Sequence, residues 1–167
     1  SPEMLYLFLD RGVSNSVDNN LPFFVEPGKI NIESSLEFFT ADAKITGSKN
    51  QELYDEYKKV VSRYVDENLE LVVKKLDASK NKNTTELAKI QVEQDNILKR
   101  KYLYTTNFAV NNASHAVAPY VAVAEIYDIN LKYLDTIQKS LTPEISKSLY
   151  GKQLKQLIEE RKKLETK

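Results

Sequence analysis

The chain has 167 residues, of which 24 are basic and 24 acidic, and it contains no cysteine and a single histidine, His115. Because the charges balance, no net field steers the chain toward polyanions, so we expect no nucleic-acid partner. The missing thiols exclude disulfides, thiolate catalysis and sulfur-ligated zinc within the chain, and a lone imidazole leaves most catalytic arrangements incomplete.

The first 47 residues are predicted to form short strands. Met4–Leu9 is an aromatic and apolar run of strand length. It is the longest uninterrupted apolar run and is far shorter than the ~20 residues that cross a bilayer, so we expect no membrane insertion by this chain. A polar loop over Ser14–Asn20 leads to a second strand at Leu21–Val25. Pro22 in this second run favours an edge position, because proline cannot donate to a sheet ladder.

A chain reversal is predicted at Glu26–Lys29. Pro27 and Gly28 have the backbone preferences of the two central positions of a type II turn. The following segment, Lys29–Glu33, alternates apolar and polar residues, which is typical of a strand with one buried face. We therefore expect Leu21–Val25 and Lys29–Glu33 to form a hairpin. Two weaker strand candidates are Leu36–Thr40 and Ala43–Thr46.

From Ser48 onward the apolar spacing changes to that of helices. Ser48 followed three residues later by Gln51 is a capping-box pattern, which predicts a helix start. Apolar residues then recur mainly at intervals of three and four, which predicts one stripe on one helix face. Its members are Leu53, Tyr57, Val60, Val61, Tyr64, Leu69, Val72 and Leu76. A second helix is predicted to begin near Thr84 or Thr85 and to end at Asn111-Asn112.

A third helix is predicted to be apolar throughout. Ser114 is a candidate cap for it, and it runs through Ile126. Pro119 would either sit in its first turn or kink it. The density of Ala and Val favours a central position. A short fourth helix is indicated by Leu131, Leu134 and Ile137.

The fifth helix has the clearest start signal. Thr142 is predicted as its N-cap and Pro143 as its first residue. Gly151 indicates close packing or a break, because Gly costs about 1 kcal/mol relative to Ala in a helix. We predict an α+β fold: a short antiparallel sheet over residues 1–47, part of a sandwich and incomplete at its N-terminal edge, followed by about five helices over residues 48–167.

Four segments together resemble a known family. Phe23–Ile30 contains a Glu-Pro-Gly turn, and Ala43–Asn50 contains Gly-Ser-Lys-Asn at a strand-to-helix junction. The later segments are Asn111–Tyr120 and Leu141–Gly151. In this order and spacing they resemble the N-terminal domain of unknown function that precedes a thioredoxin-like domain in envelope proteins of certain Gram-negative gut bacteria.

The resemblance implies a longer parent protein. In the family, the helical segment leads to a peroxiredoxin-like or thiol-disulfide oxidoreductase domain with a Cys-x-x-Cys motif, which would be expected to begin near Lys167. The resemblance also implies a location in the periplasm or cell envelope. That C-terminal thioredoxin-like domain is then the first expected partner of this chain.

No residue is predicted to be catalytic, cofactor-binding or metal-binding. Ser114 and His115 are neighbours at a predicted helix start, but a catalytic pair needs an orienting group and an oxyanion site, so a packing role is favoured. Glu67 and Glu70 lack a third ligand for a metal. The charged run Glu159–Lys163 is either a docking surface or, as favoured, a solvated helix face.

The ten tyrosines are the remaining candidates. Tyrosine supplies contact area with a polar tip, so a groove lined with tyrosines would suit a ligand. Most of them fall on apolar stripes, however, which favours positions at the edge of the core.

Our leading hypothesis is a non-catalytic accessory and interaction domain without a cofactor. It would position or dimerise a thioredoxin-like oxidoreductase domain and bind a protein client through apolar surface, with a homodimer as a further expectation. The alternative is a free-standing ligand- or peptide-binding module of the envelope, which a deep pocket between strands and helices would indicate. A third hypothesis, a carboxylate-based hydrolase, requires two carboxylates and a water in one cleft.

Overall fold

Two small β-sheets precede a group of helices in the computed structural model, which describes residues 1–12 and 16–165. The start of the predicted polar loop, at residues 14 and 15, lies outside the described residues. The strands are β1 (Glu3–Phe8), β2 (Asn20–Val25), β3 (Asn31–Glu33) and β4 (Lys44–Thr46). The helices are α1 (Lys49–Lys80), α2 (Thr84–Asn111), α3 (Val117–Glu125), α4 (Leu131–Ser140), α5 (Pro143–Ser146) and α6 (Leu149–Glu165). The predicted α+β fold class is confirmed.

The strands pair as two separate antiparallel sheets. β1 pairs with β2, and β3 pairs with β4. The predicted hairpin between Leu21–Val25 and Lys29–Glu33 is therefore wrong. Gly28 does adopt a positive φ of 135°, so the chain bends where expected. The bend does not pair the flanking strands, because β2 takes its partner from earlier in the chain and β3 from later.

The predicted strand at Leu36–Thr40 is also wrong, since this segment forms turns. Ser35 Oγ accepts a hydrogen bond from the Phe38 amide at 3.0 Å and donates to Asp42 at 2.6 Å. Side-chain bonds to nearby groups of this kind offer the chain an alternative to strand pairing. The weaker candidate at Ala43–Thr46 is confirmed as β4.

Two of the predicted helix starts have the expected caps. Ser48 Oγ accepts from the Gln51 amide at 3.1 Å, and Thr142 Oγ1 accepts from the Ile145 amide at 3.4 Å, with Pro143 as the first residue of α5. The fifth predicted helix is divided, because α5 is a single turn and α6 begins at residue 149. The break therefore lies before Gly151 and not at it.

Helix α3 lies at the centre of the core, as its composition predicts. Val117, Ala118 and Val121 are fully buried, and they pack with residues of β1, β2, α1, α4 and α6 in one continuous cluster. Pro119 occupies the first turn. Ser114 does not cap the helix, because α3 begins at residue 117 and has no side-chain cap from its own N-terminal neighbours. That prediction was wrong.

Gly151 is needed for close packing. A Cβ at this position would overlap the carbonyl oxygen of Ile145 and lie 2.7 Å from that of Ser146. Real Cβ atoms do not approach backbone atoms so closely. Glycine therefore lets the first turn of α6 pack directly on the backbone of α5.

Helices α1 and α2 pack side by side as an antiparallel hairpin. Most of their contact residues recur at intervals of three and four, which is the spacing of a coiled-coil seam. The contact residues include Tyr57, Val61, Tyr64, Asn68, Leu71, Lys75 and Ala78 of α1, and Leu87, Ile90, Gln94, Ile97, Tyr104, Thr105 and Phe108 of α2. We call residues 62–80 of α1 with residues 84–100 of α2 the arm.

The single apolar stripe predicted for α1 is wrong, because its members divide between two faces. Tyr57, Val61 and Tyr64 face α2, whereas Leu69 and Leu76 are 61% and 59% exposed. The residues of α1 that face α2 continue instead through the polar side chains Asn68 and Lys75. A pattern of apolar residues alone therefore does not identify this face of α1. We call the exposed set on α1 the outer stripe, and its members are Val65, Leu69, Val72, Val73 and Leu76.

Candidate interaction surface

The link between sheet and helices is a short junction that includes residues 47–51. Gly47 has a φ of 92°, and a Cβ there would overlap the carbonyl oxygen of Lys29. Only glycine fits this conformation and this close approach. The next residue, Ser48, caps α1, so the chain changes from strand to helix within two residues.

Two side chains of the helical part hold the first sheet by its outward backbone amides. Gln51 Oε1 accepts from the Phe24 amide of β2 at 2.8 Å, and Tyr150 Oη accepts from the Met4 amide of β1 at 2.7 Å. Gln51 is fully buried, and its Nε2 donates to Asp55 at 2.8 Å. The predicted capping box is thus only half formed, because the side chain that would close it binds a strand instead.

Asn50 joins three elements at the same junction. Its Oδ1 accepts from the Val117 amide at 2.9 Å, which satisfies the first turn of α3, and its Nδ2 donates to Glu26 at 2.6 Å. Glu26 also accepts from the Lys49 amide. Burial alone would raise the pKa of Glu26, but the hydrogen bonds from Asn50, Ser48 and Lys49 outweigh it and lower the pKa.

An aromatic cluster lies beneath the first sheet. The fully buried Phe24 ring contacts Tyr120, Tyr54 and Tyr150 edge-on, at centroid distances of 5.1, 5.7 and 6.4 Å. Burial raises the pKa of Tyr54 to about 12 and raises that of Tyr120 as well. These tyrosines belong to the core or pack against it, as their positions on apolar stripes predict.

Strand β1 has an unpaired backbone edge within the described part of the chain. The amides of Met4 and Phe24 both point away from the ladder, so this facing pair is not hydrogen-bonded to itself. In an antiparallel ladder such pairs alternate with bonded ones, which turns the backbone groups of Tyr6 and Phe8 outward too. Pro22 faces Tyr6 in another non-bonded pair of this ladder. Its backbone nitrogen therefore points away from β1, so the lack of an amide hydrogen at Pro22 removes no hydrogen bond between the two strands. The predicted edge position of Pro22 is confirmed.

The last four side chains of β1, Leu5–Phe8, are apolar and exposed, and they lie on both faces of the sheet. Tyr6 is 62% exposed and Phe8 is 47% exposed on one face, and Leu5 and Leu7 are exposed on the other. Only Met4, at the start of the strand, is buried in the core. An exposed apolar strand with an open edge is a template for adding another strand. We call this surface the β1 edge.

The residues weighed for catalysis do not form a site. Ser114 Oγ lies 3.2 Å from His115 Nδ1 at the surface, and in the described residues no third side chain hydrogen-bonds to these two side chains. Glu67 pairs with Arg100 at 2.6 Å across the two helices of the arm. Over the same residues, no group of three or more His, Asp or Glu side chains is placed to hold a metal ion.

The charged run Glu159–Lys163 is mostly exposed, as expected for a helix face. Its exception is Arg161, which is half-buried and donates to the carbonyl oxygens of Tyr127 and Ile129. This arginine therefore fastens α6 to the loop between α3 and α4. Sequence reasoning missed this role, because the carbonyl acceptors lie more than thirty residues away.

Two clefts bear on the ligand-binding alternative. One of about 500 Å³ lies between the start of β1 and helices α5 and α6, and charged Glu3, Glu144, Lys147 and Lys152 are among its lining residues. The other, of about 380 Å³, opens in the arm between α1 and α2. Ligand pockets are predominantly apolar. The charged lining of the first cleft does not favour that alternative, which stays a prediction.

None of the described helices is both long enough and apolar enough to cross a membrane. Residues 1–54 match the family described as Domain of unknown function (DUF4369). No curated protein and no solved structure matches the chain. The match covers all four strands, the junction and the start of α1. The amino-terminal part of this chain is thus similar to a domain of unknown function.

Proposed function

We propose that this chain is a non-catalytic accessory and interaction domain of a thioredoxin-like thiol-disulfide oxidoreductase of the cell envelope. Its task is to position or dimerise the redox domain and to present a docking strand to a protein client. The β1 edge is the observation that carries this proposal. The resemblance of the four sequence segments supports the redox partner and the periplasmic location.

The build of the first sheet suits a docking role. Gln51, Tyr150 and the Phe24 cluster fix one end of the sheet to the helical core. The other end, at Tyr6 and Phe8, is exposed. A rigidly held strand loses little conformational entropy when a partner strand binds, so its backbone groups are available for affinity and its exposed side chains for selectivity. An unfolded or partly folded disulfide-containing client offers such a strand.

One substitution tests the docking role directly. Tyr6→Pro removes an outward amide but no ladder hydrogen bond, because Tyr6 and Pro22 form a non-bonded pair. In the parent oxidoreductase we expect a higher KM for a protein disulfide and an unchanged rate with a small disulfide reagent. Tyr6→Ala is the matched control for the lost ring, and it keeps the amide. Equal KM values for Tyr6→Pro and Tyr6→Ala would contradict docking through the strand edge.

The redox partner has its own test. The coding sequence next to this segment in the natural gene should contain a thioredoxin-like stretch with a Cys-x-x-Cys motif. Its absence would remove the oxidoreductase from the proposal. The Tyr6→Pro test would then measure the binding of a peptide client to this chain instead of oxidoreductase kinetics.

A further inference from the structure

We propose that a second copy of this chain covers the outer stripe, with α1 of the two copies packed antiparallel along it. This inference rests on the proposed function, in which the chain can dimerise the redox domain. It deepens that function by naming the surface through which two copies pair. It does not use the β1 edge. The two surfaces are therefore separable by substitution.

The outer stripe has the pattern of a helix-packing seam that lacks its partner. Val65, Leu69, Val72 and Leu76 follow one another at intervals of four, three and four, which is the spacing of coiled-coil core positions. Their exposure ranges from 37% to 61%. Single exposed apolar residues are normal on protein surfaces, but these four form a contiguous patch on one helix face. Contiguous apolar patches of this kind mark interaction sites.

The arm provides a groove beside the stripe. The cavity of about 380 Å³ lies along the same flank, and its lining includes Tyr64, Val65, Asn68, Gln94, Ile97 and Leu98. In an antiparallel pairing centred near Val72, Leu76 of the partner subunit lies opposite Val65 and Leu69, next to this groove. One copy thus offers both the projecting side chains and the recess, as a two-fold interface requires.

The charges beside the stripe favour the antiparallel direction. Asp66 lies near its beginning and Lys80 beyond its end, both on the same side of the helix and both exposed. In the described part of the chain, neither has an ion-pair partner within the same copy. An antiparallel pairing brings Asp66 of one copy toward Lys80 of the other, whereas a parallel pairing places like charges together.

The size of the arm sets the expected strength. Residues 62–80 of α1 span about 28 Å at ~1.5 Å per residue, and two helices side by side are about 20 Å wide. A face of the arm with this length and width has an area of roughly 600 Å² per copy. This area is close to the lower end of specific interfaces, which bury about 600–1,000 Å² per partner. We therefore expect a reversible dimer that depends on concentration.

Sedimentation of the whole chain from the low micromolar to the millimolar range tests the dimer. We expect reversible dimerisation of the wild type, and at least a tenfold weaker dimer for Leu69→Glu with unchanged helical circular dichroism. Leu103→Glu is the matched control, because Leu103 is 48% exposed on α2, beyond the residues of the arm. A chain that is monomeric throughout, or a dimer that survives Leu69→Glu, overturns the proposal.

Disulfide trapping tests whether the two α1 helices pair antiparallel. No native thiol competes in this assay, because the chain has no cysteine of its own. Val72→Cys lies near the proposed two-fold axis and should cross-link to itself. Leu76→Cys should cross-link poorly to itself but efficiently to Val65→Cys when the two variants are mixed. Self-linking of Leu76→Cys alone would indicate parallel pairing and overturn the antiparallel arrangement. Leu69→Glu leaves the β1 edge intact, so failure here does not touch the Tyr6→Pro test.

Discussion

Replacing Gln51 by Leu tests whether the junction fixes the first sheet to the helices. The substitution keeps the approximate shape of the side chain but removes the acceptor that lies 2.8 Å from the Phe24 amide. Both groups are buried, so water has little access to the amide that is left. An unsatisfied buried donor costs about 1–3 kcal/mol. For a chain of this size, each kcal/mol lowers Tm by about 2–4 °C.

The assay is urea unfolding followed by circular dichroism, with thermal melting as a second readout. Gln153→Leu is the matched control, because Gln153 is exposed on α6 and its loss should change stability by less than about 0.5 kcal/mol. Gln51→Glu retains an acceptor for Phe24 but faces the Asp55 carboxylate, so it should be less stable at neutral pH than in mild acid. If Gln51→Leu unfolds at the wild-type urea concentration, the junction argument is wrong.

Three further outcomes are expected. Phe24→Ala should cost about 3–5 kcal/mol in the same urea assay, because the fully buried ring contacts three tyrosines. Gly151→Ala should destabilise the chain by about 1–3 kcal/mol, against the usual helix preference for Ala, because its Cβ would overlap the Ile145 carbonyl oxygen; a higher Tm would refute this. Burial raises the pKa of Tyr54 to about 12, so its neutral form is favoured in the folded state. Stability from this tyrosine is complete below the ordinary pKa of about 10 and is lost as pH rises through about 12, which ultraviolet absorbance of the phenolate should show as late, cooperative titration coupled to unfolding.

The sequence predicts helix starts and chain bends well where interactions between neighbouring residues determine them. Ser48 and Thr142 cap helices because their hydroxyls bond to amides three residues ahead, and Gly28 bends the chain through its own φ. Strand pairing is decided elsewhere. The register of β2 depends on β1 and on acceptors at Gln51 and Tyr150, which no turn signal encodes. The Pro-Gly bend is therefore predictable from the sequence, whereas the predicted hairpin around it is wrong.

The start of α3 shows the same limit in a single hydrogen bond. The sequence predicts a cap next to the helix, at Ser114, because most caps come from the preceding residues. The first amide of α3 is instead satisfied by Asn50, 67 positions earlier in the chain. In α1, the polar seam residues Asn68 and Lys75 bond to α2 through Gln94, which only the folded hairpin reveals.

The core also crosses the predicted division at residue 47. All described strands lie before it and all described α-helices begin after it, but Met4 and Phe24 belong to the same buried cluster as Tyr150 and Leu154. Isolated two-stranded sheets are marginally stable and need a covering layer. A fragment limited to residues 1–54 would leave the Phe24 ring and the Met4 amide without their partners. The segment that matches the family of unknown function therefore depends on helices outside that match for its position, and Tyr150 of α6 holds the start of the exposed strand β1 through the Met4 amide.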